Sequence, residues 1–381
     1  MIKVVNVISD TNIGGAGKCL LTYLEHADTA AFDISVILPG GSLLKPHIDA
    51  LGFTVYEIDA MTDKSLDFKA IQKLRKLFKQ IKPDIVHSHA SMSARIAAKF
   101  SKVRAKGSPA IAYTRHSVFE PSNAISKGMG KVVNGMINNY FCDGIIAVAE
   151  AAKQNLTATG VKESKIEVIL NGVEPLKRLS DEEKAQVRQS YGIAPGQKVA
   201  AMVARLNIVK GHEYFIRAAK MAIDGGIDAK FIIAGTGETE GRLKQLTLEL
   251  GLEDRIIFTG FLDDVTPLMN ITDILVNASF GTEATSLALL EGMSIGIPAV
   301  VSDFGGNPGV VQEGKNGLIF MQRNTPDLHR AMSQLFTDSA MMQDMKKSAE
   351  EMFYERFTAK TYSANIEDFY TRLLDNKEAG K

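Results

Sequence analysis

The chain has 381 residues, 45% of them hydrophobic and 23% charged, with Lys+Arg and Asp+Glu equal at 44 each. That length suits about two globular domains. Only two cysteines, Cys19 and Cys142, are present, which excludes a disulfide framework or a cysteine metal site and fits a reducing compartment. No run of ~18 apolar residues occurs to span a membrane.

In chain order, short Val- and Ile-rich runs alternate with helix-length amphipathic segments. The first begins at once, at residues 2–8, too short and too soon interrupted for a signal peptide, so a cytoplasmic protein is expected. Further strands are expected at 34–38, 53–58, 84–87, 109–114, 144–148 and 166–170. A second series follows at 198–203, 229–234, 255–259, 273–277 and 298–301. Continuous apolar strands separated by helical patterns imply parallel sheets covered on both faces, wound by right-handed crossovers. The expectation is an α/β chain of two doubly wound Rossmann-like domains.

Asn171-Gly172-Val173-Glu174-Pro175 is turn punctuation between the two series. The division reads 1–173 for the first domain and 174–355 for the second. Residues 356–381, with a last helix at about 357–374, follow without another strand. Charge divides there too: residues 1–178 carry 23 basic and 16 acidic side chains, and the remainder 21 and 28. Opposite signs suggest different partners for each half.

Candidate site residues lie after strands, where open α/β sheets bind ligands. Asn12-Ile13-Gly14-Gly15-Ala16-Gly17-Lys18 opens the first helix. It could bring backbone N–H groups to a phosphate or be a plain tight turn; it is neither a P-loop nor a dinucleotide fingerprint. Arg205 and Lys210 follow strand 198–203, as cations for a leaving diphosphate or as solvated loop residues. Glu283 and Glu291 stand eight apart in Gly281-Thr282-Glu283-Ala284-Thr285-Ser286-Leu287-Ala288-Leu289-Leu290-Glu291. On one helix they would be ~12 Å apart along the axis. Glycosidase carboxylates sit about 5–9.5 Å apart. The spacing better suits two contacts along an elongated ligand.

Glu283-x7-Glu291, Gly305-Gly306 and Gly314-x-Asn316-Gly317 resemble the C-terminal half of the family 4 retaining glycosyltransferases. The Arg205/Lys210 loop, Gly235-Thr236-Gly237-Glu238 and Phe258-Thr259-Gly260-Phe261-Leu262 match as well. Gly14-Gly15, Asp84-Ile85-Val86-His87-Ser88-His89 and Asn171-Gly172-Val173 extend the resemblance over nearly the whole chain.

The resemblance implies the GT-B fold, two facing Rossmann-like domains, with the C-terminal helix returning to the first. It implies acceptor binding on the first domain and nucleotide-sugar binding mainly on the second. Arg205 and Lys210 would hold the diphosphate, Glu291 the ribose and Glu283 the donor sugar. Amides of Thr285, Ser286 and Leu287 would meet the phosphate or sugar, and Gly260, Phe261 and Leu262 would border the base. Gly14, Gly15 and Gly235 complete the donor site, and His116 is the active-site histidine; His87 and His89 are further candidates. Three departures stand out: Ala284-Thr285-Ser286 replaces the family's Gly-Phe-Gly, Gly309 stands where Glu is common, and Ala204 stands where Gly usually precedes the Arg.

The implied function is retaining transfer of a sugar from a nucleotide-diphosphate sugar, with uridine as the base, to a glycan or lipid-linked acceptor. No Asp-x-Asp occurs in the sequence, so no metal or other cofactor is expected, and no nucleic-acid partner. A sugar-nucleotide epimerase or a non-catalytic sugar-nucleotide-binding protein are the alternatives; turnover of a labelled donor separates the three. Finally, residues 68–106 hold eleven basic side chains against Asp84 alone. They either face an anionic surface, a membrane leaflet or a lipid-linked phosphate acceptor, or form the solvated face of a helix covering the sheet; residues 124–140 add an amphipathic segment.

Overall fold

The computed structural model describes residues 1–59, 66–104, 107–118 and 123–380. Two compact units result. One joins Met1–Gly172 to the last helix, and the other runs from Val173 to Thr358.

The first unit is a seven-stranded parallel sheet: β1 (Ile2–Ile8), β2 (Phe32–Pro39), β3 (Thr54–Ile58), β4 (Ile85–His89), β5 (Ala110–Arg115), β6 (Gly144–Ala147) and β7 (Ile166–Val168). The strand order is β3-β2-β1-β4-β5-β6-β7. Its central strands bury both faces, as Val4, Val5 and Val7 of β1 and Ile85 and Val86 of β4 show, because helices cover the sheet on either side. Helix Phe68–Ile81 is typical of the covering. Asp67 caps it, accepting from the amides of Lys69 and Ala70. Ala70, Ile71, Leu74 and Phe78 go into the core beside Val86 and Ile111.

The second unit is a six-stranded parallel sheet of β8 (Lys198–Val203), β9 (Ala229–Ala234), β10 (Ile256–Gly260), β11 (Ile274–Asn277), β12 (Ala299–Ser302) and β13 (Gly317–Phe320). Its order is β10-β9-β8-β11-β12-β13. All twelve expected strands are present, shifted at their ends by at most a few residues. β13 was not expected; it is a four-residue edge strand that begins on a glycine and pairs only with β12.

The chain returns to the first unit through helix Ala359–Glu378, which starts two residues later than the sequence suggests and runs further. Residues 356–358, assigned to the tail by sequence, belong to the second unit. Phe357 is fully buried, and its carbonyl accepts from the amide of Val173 at 3.0 Å. In the first unit, Tyr362, Ile366, Phe369, Tyr370 and Leu373 of the last helix are buried. Any side chain at Gly144 on β6 would strike Phe369 and Leu373, at 2.8 Å from each.

Candidate active site

In each doubly wound sheet the ligand crevice opens where the strand order reverses. In the second unit that point lies between β8 and β11. The loops after these two strands carry Lys210 and Glu283, and the fold brings the two together.

After β8 the backbone turns tightly. The Asn207 side chain accepts from the amide of Lys210 at 3.2 Å, closing the turn Ile208–Lys210. Gly211 follows with φ of 76°, and a Cβ there would stand 2.2 Å from the Ala278 carbonyl. So glycine lets this loop lie on the backbone after β11, where Phe280 N donates to Val209 O at 2.9 Å. The Lys210 ammonium thereby reaches Glu283 Oε2 at 2.9 Å and the Thr282 carbonyl at 3.2 Å.

Glu283 is 7% exposed, where an unpartnered carboxylate would be costly. Its Oε2 accepts from Lys210, from Asn277 Nδ2 at 3.0 Å and from Ser279 Oγ at 2.9 Å. A further layer holds these donors. Asn277 Oδ1 accepts from the Ser279 amide, and Ser302 Oγ donates to the Ser279 carbonyl and accepts from Asn307. Gly305 is required behind the glutamate, with φ of 62° and a Cβ position 2.2 Å from the Glu283 carbonyl. Asn277, Ser302 and Asn307 were not singled out in the sequence, and Ser279 stood only as the first residue of the motif that holds the two glutamates. The available signal was a polar residue ending each of two apolar strands.

Glu283 lies in the loop, four residues before helix Leu287–Met293, so the two glutamates do not share a helix. Glu291 is on it and partly buried. Ser286 caps its start with φ of −73°. The backbone therefore accepts the residue that replaces the family's glycine without strain. Thr285, Ser286 and Leu287 are all partly exposed there. Gly309 has open space around it.

Arg205 is exposed beside the same loop. Gly235 shapes its surroundings, with φ of 136° and a Cβ position 2.1 Å from the Ala204 carbonyl. The Gly235 amide donates to the Gly260 carbonyl at 2.8 Å, which puts those two glycines side by side. Phe261 is 66% exposed and Leu262 partly so.

Gly14, Gly15 and His116 belong to the first unit, whose order reverses between β1 and β4. Gly14 caps helix Gly15–Glu25 without a side-chain bond. Neither glycine has a positive φ; the space at Gly15 is open, whereas a Cβ at Gly14 would lie 3.3 Å from Asp10 Oδ2.

His116 follows β5 and joins a chain of polar contacts. Its Nε2 lies 2.9 Å from His89 Nδ1, and His89 Nε2 lies 3.2 Å from Asn6 Oδ1. With that amide orientation His89 Nε2–H donates to Asn6 and His116 Nε2–H donates to His89. His116 Nδ1 is then left as an acceptor. His87 spans Tyr370 Oη at 2.6 Å and Thr114 Oγ1 at 2.7 Å. Burial pushes the His87 pKa down to about 3 and that of His116 down to about 4. That of His89 falls well below the usual range, chiefly through burial, with the neighbouring His87 and His116 adding to it. All three are neutral at pH 7. Beside His116 opens a pocket of about 560 Å³, lined by Met92, Arg95, Tyr113, Arg115, Ile137 and Phe141 among others. The sequence indicated His87 and His89 but not Tyr370, which comes from the far end of the chain.

Two Rossmann-like units, each with a polar cluster at its switch point, place the chain in the GT-B fold class. The structure superposes on Anabaena HepE with a TM-score of 0.83 at 20% identity, covering 98% of this chain and 100% of that one. Sucrose-phosphate synthase of Thermosynechococcus elongatus matches with a TM-score of 0.77 at 16% identity, over 98% and 100%.

Residues 13–176 match the family model Glycosyltransferase Family 4, and residues 183–352 match Glycosyl transferases group 1. Among curated relatives, the Escherichia coli UDP-Gal:alpha-D-GlcNAc-diphosphoundecaprenol alpha-1,3-galactosyltransferase is 27% identical over 99% of this chain and 98% of its own length. The Bacillus anthracis N-acetyl-alpha-D-glucosaminyl L-malate synthase is 25% identical over 88% and 87%. The chain belongs to the family 4 glycosyltransferases and is an enzyme of the hexosyltransferase type.

Proposed function

We propose that the chain transfers a hexosyl group from a UDP-sugar to a lipid-linked or glycan acceptor, with retention at the anomeric carbon and without a metal or other cofactor. The observation that carries this reading is the Lys210–Glu283 pair, held at the switch point of the second sheet by Asn277 and Ser279. An ammonium fixed in advance stabilises a diphosphate as its charge develops. Arg205 supplies the second cation. Glu291 takes the ribose hydroxyls, and Glu283 offers its other oxygen, Oε1, to a sugar hydroxyl. Amides of Thr285, Ser286, Leu287, Gly14 and Gly15 add donors, and Gly260, Phe261 and Leu262 border the uracil. Two relatives support the donor and acceptor: the E. coli enzyme is named for UDP-Gal and a diphosphoundecaprenol acceptor, and HepE is described with UDP and glucose.

In this reading the bond from anomeric carbon to diphosphate breaks, with its electron pair leaving on the phosphate oxygen. The acceptor oxygen bonds the same carbon from the same face, and its proton passes to that phosphate oxygen. Neutral His116 stands on the acceptor side as a hydrogen-bonding group. The test is a panel of UDP-sugars with a GlcNAc-diphospholipid acceptor, the product's anomeric configuration being read by NMR coupling. Retention is expected; an inverted product, an epimerised donor or binding without turnover would overturn the reading.

A further inference from the structure

Helix Gly128–Phe141 is amphipathic the wrong way round for a helix covering a sheet. Its protein-facing side is polar. Asn134 Nδ2 donates to the Thr159 carbonyl and Asn139 Nδ2 to that of Gly160, while Asn138 Oδ1 accepts from buried Arg95. Gly135 is its one buried residue, pressed so closely on Gly160 that a Cβ would lie 2.2 Å from that carbonyl.

The apolar side chains point outward. Met129, Val132, Val133, Met136 and Tyr140 fall at i, i+3, i+4, i+7 and i+11, a single stripe. Met129 is 76% exposed and Met136 64%. All five side chains of the stripe are exposed, whereas the apolar face of helix Phe68–Ile81 is packed in the core.

The rim of the stripe is basic. Lys127 and Lys131 are exposed on it, and the Lys99 ammonium lies 4.6 Å from the Tyr140 ring centroid. Phe100, itself half exposed, meets Phe141 edge-on at 6.2 Å, and its carbonyl accepts from Arg75 of helix Phe68–Ile81. Arg75 thus joins the rim of the stripe to helix Phe68–Ile81, on which Lys69, Lys73, Lys76 and Lys79 are all exposed. Acids are scarce: residues 68–142 contain only Asp84 and Glu120. Asp84 is paired with Arg104, and Glu120 lies outside the described residues. The basic set expected from sequence shrinks accordingly. Arg95 is buried, Arg104 is paired with Asp84 and Glu378, and Lys106 lies outside the described residues.

We propose that helix Gly128–Phe141 inserts its apolar stripe into an anionic lipid leaflet, with the surrounding lysines and Arg75 held against the headgroups. An apolar helix face rimmed by Lys and carrying an aromatic residue lies in the interfacial plane. The charge rim selects anionic lipid over a second copy of the chain, because two such rims would repel. This docking does not depend on the proposed donor or acceptor, and its test uses no turnover.

The chain contains no tryptophan, so Met136→Trp installs a single reporter in the full-length protein. With phosphatidylcholine vesicles containing about one-third phosphatidylglycerol, its emission shifts to the blue and the protein co-sediments. Binding falls as salt shortens the Debye length from ~10 Å at ~0.1 M to ~3 Å at ~1 M. Val133→Asp/Met136→Asp weakens vesicle binding roughly tenfold or more, as does Lys69→Glu/Lys73→Glu/Lys76→Glu. Both variants keep the wild-type melting temperature, since every position changed is exposed. Absence of vesicle binding, binding unaffected by the aspartates, or a reporter that stays unshifted on bound protein would each overturn the proposal. So would equal binding to pure phosphatidylcholine, or a dimer that the aspartates dissociate.

Discussion

At the scale of single residues, the second unit holds the Lys210 ammonium with a carboxylate that is itself held by Asn277 and Ser279. Lys210→Ala is expected to lower kcat by roughly 10²–10³-fold, the scale for losing one preorganised donor. Glu283→Gln leaves Lys210, Asn277 and Ser279 competing for a neutral acceptor. Breaking a buried pair costs about 3–5 kcal/mol, and less here because the Lys210 side chain is 20% exposed. Denaturant midpoints should fall in both variants, and further in Lys210→Ala, which leaves the buried Glu283 carboxylate with Asn277 and Ser279 but no cation. Wild-type turnover in Lys210→Ala would refute the assignment. The histidines make a pH prediction. Their folded pKa values lie below the ordinary ~6.5, so the unfolded chain binds more protons between about pH 4 and 6.5. Stability therefore rises with pH through that window and levels off above it. Urea midpoints at a series of pH values should show the slope, and His116→Gln should flatten it. Glu283 and Lys210 could be picked out as charged residues in loops after strands, whereas the histidines entered only through the family resemblance. Asn277, Ser279 and Tyr370 could not be picked out, since their roles depend on a partner's position in space.

At the scale of elements, periodicity located twelve strands because each is a continuous apolar run with polar or glycine punctuation. β13 escaped for want of both: Gly317-Leu318-Ile319-Phe320 is short and starts on a residue that belongs equally to a turn. The glycine loops were legible as motifs, but what they do is steric. Gly235 and Gly237 press on the carbonyls of Ala204 and Leu206, with Cβ positions 2.1 and 2.2 Å away. The Leu206 amide donates to the Thr236 carbonyl, which ties the Arg205 loop to the loop after β9. Gly235→Ala adds an unfavourable φ to that clash and must push the Arg205 loop outward. Overpacking of this kind costs about 1–3 kcal/mol. The expected result is a lower melting temperature together with weaker UDP binding by calorimetry, whereas Gly309→Ala, with open space around it, serves as the neutral control. Unchanged UDP affinity in Gly235→Ala would mean that the loop position does not matter to the ligand. The inverted helix Gly128–Phe141 shows the limit of pattern reading. Its sequence gives an amphipathic helix, but only the packed Asn134, Gly135 and Asn139 reveal which face is turned to the protein.

At the scale of the whole molecule, one unit is a single stretch of chain and the other is assembled from two. Val173–Thr358 holds all six strands of its sheet and its own core, so its folding needs nothing from either end. The first unit needs helix Ala359–Glu378, which arrives after the second unit has been made. Tyr362, Ile366, Phe369, Tyr370 and Leu373 are buried there, Tyr370 contacts both His87 and Tyr23, and Lys377 pairs with Asp143 at 2.7 Å. Full burial of a large apolar side chain is worth about 1.5–3 kcal/mol. Five of them rival the ~5–15 kcal/mol that stabilises a domain. Expressed alone, residues 173–358 should fold cooperatively and bind UDP, because every proposed nucleotide contact except Gly14 and Gly15 lies within them. Residues 1–172 alone should expose Tyr23, Leu20 and the Gly144 face of the sheet, and should aggregate or melt without a cooperative transition. Joining 359–380 to 1–172 through a flexible linker should restore the transition, with protected amides in β4 and β5. A sharp melt of 1–172 by itself would show that the last helix merely decorates the first unit, and failure of 173–358 to fold would show that the second unit depends on the first.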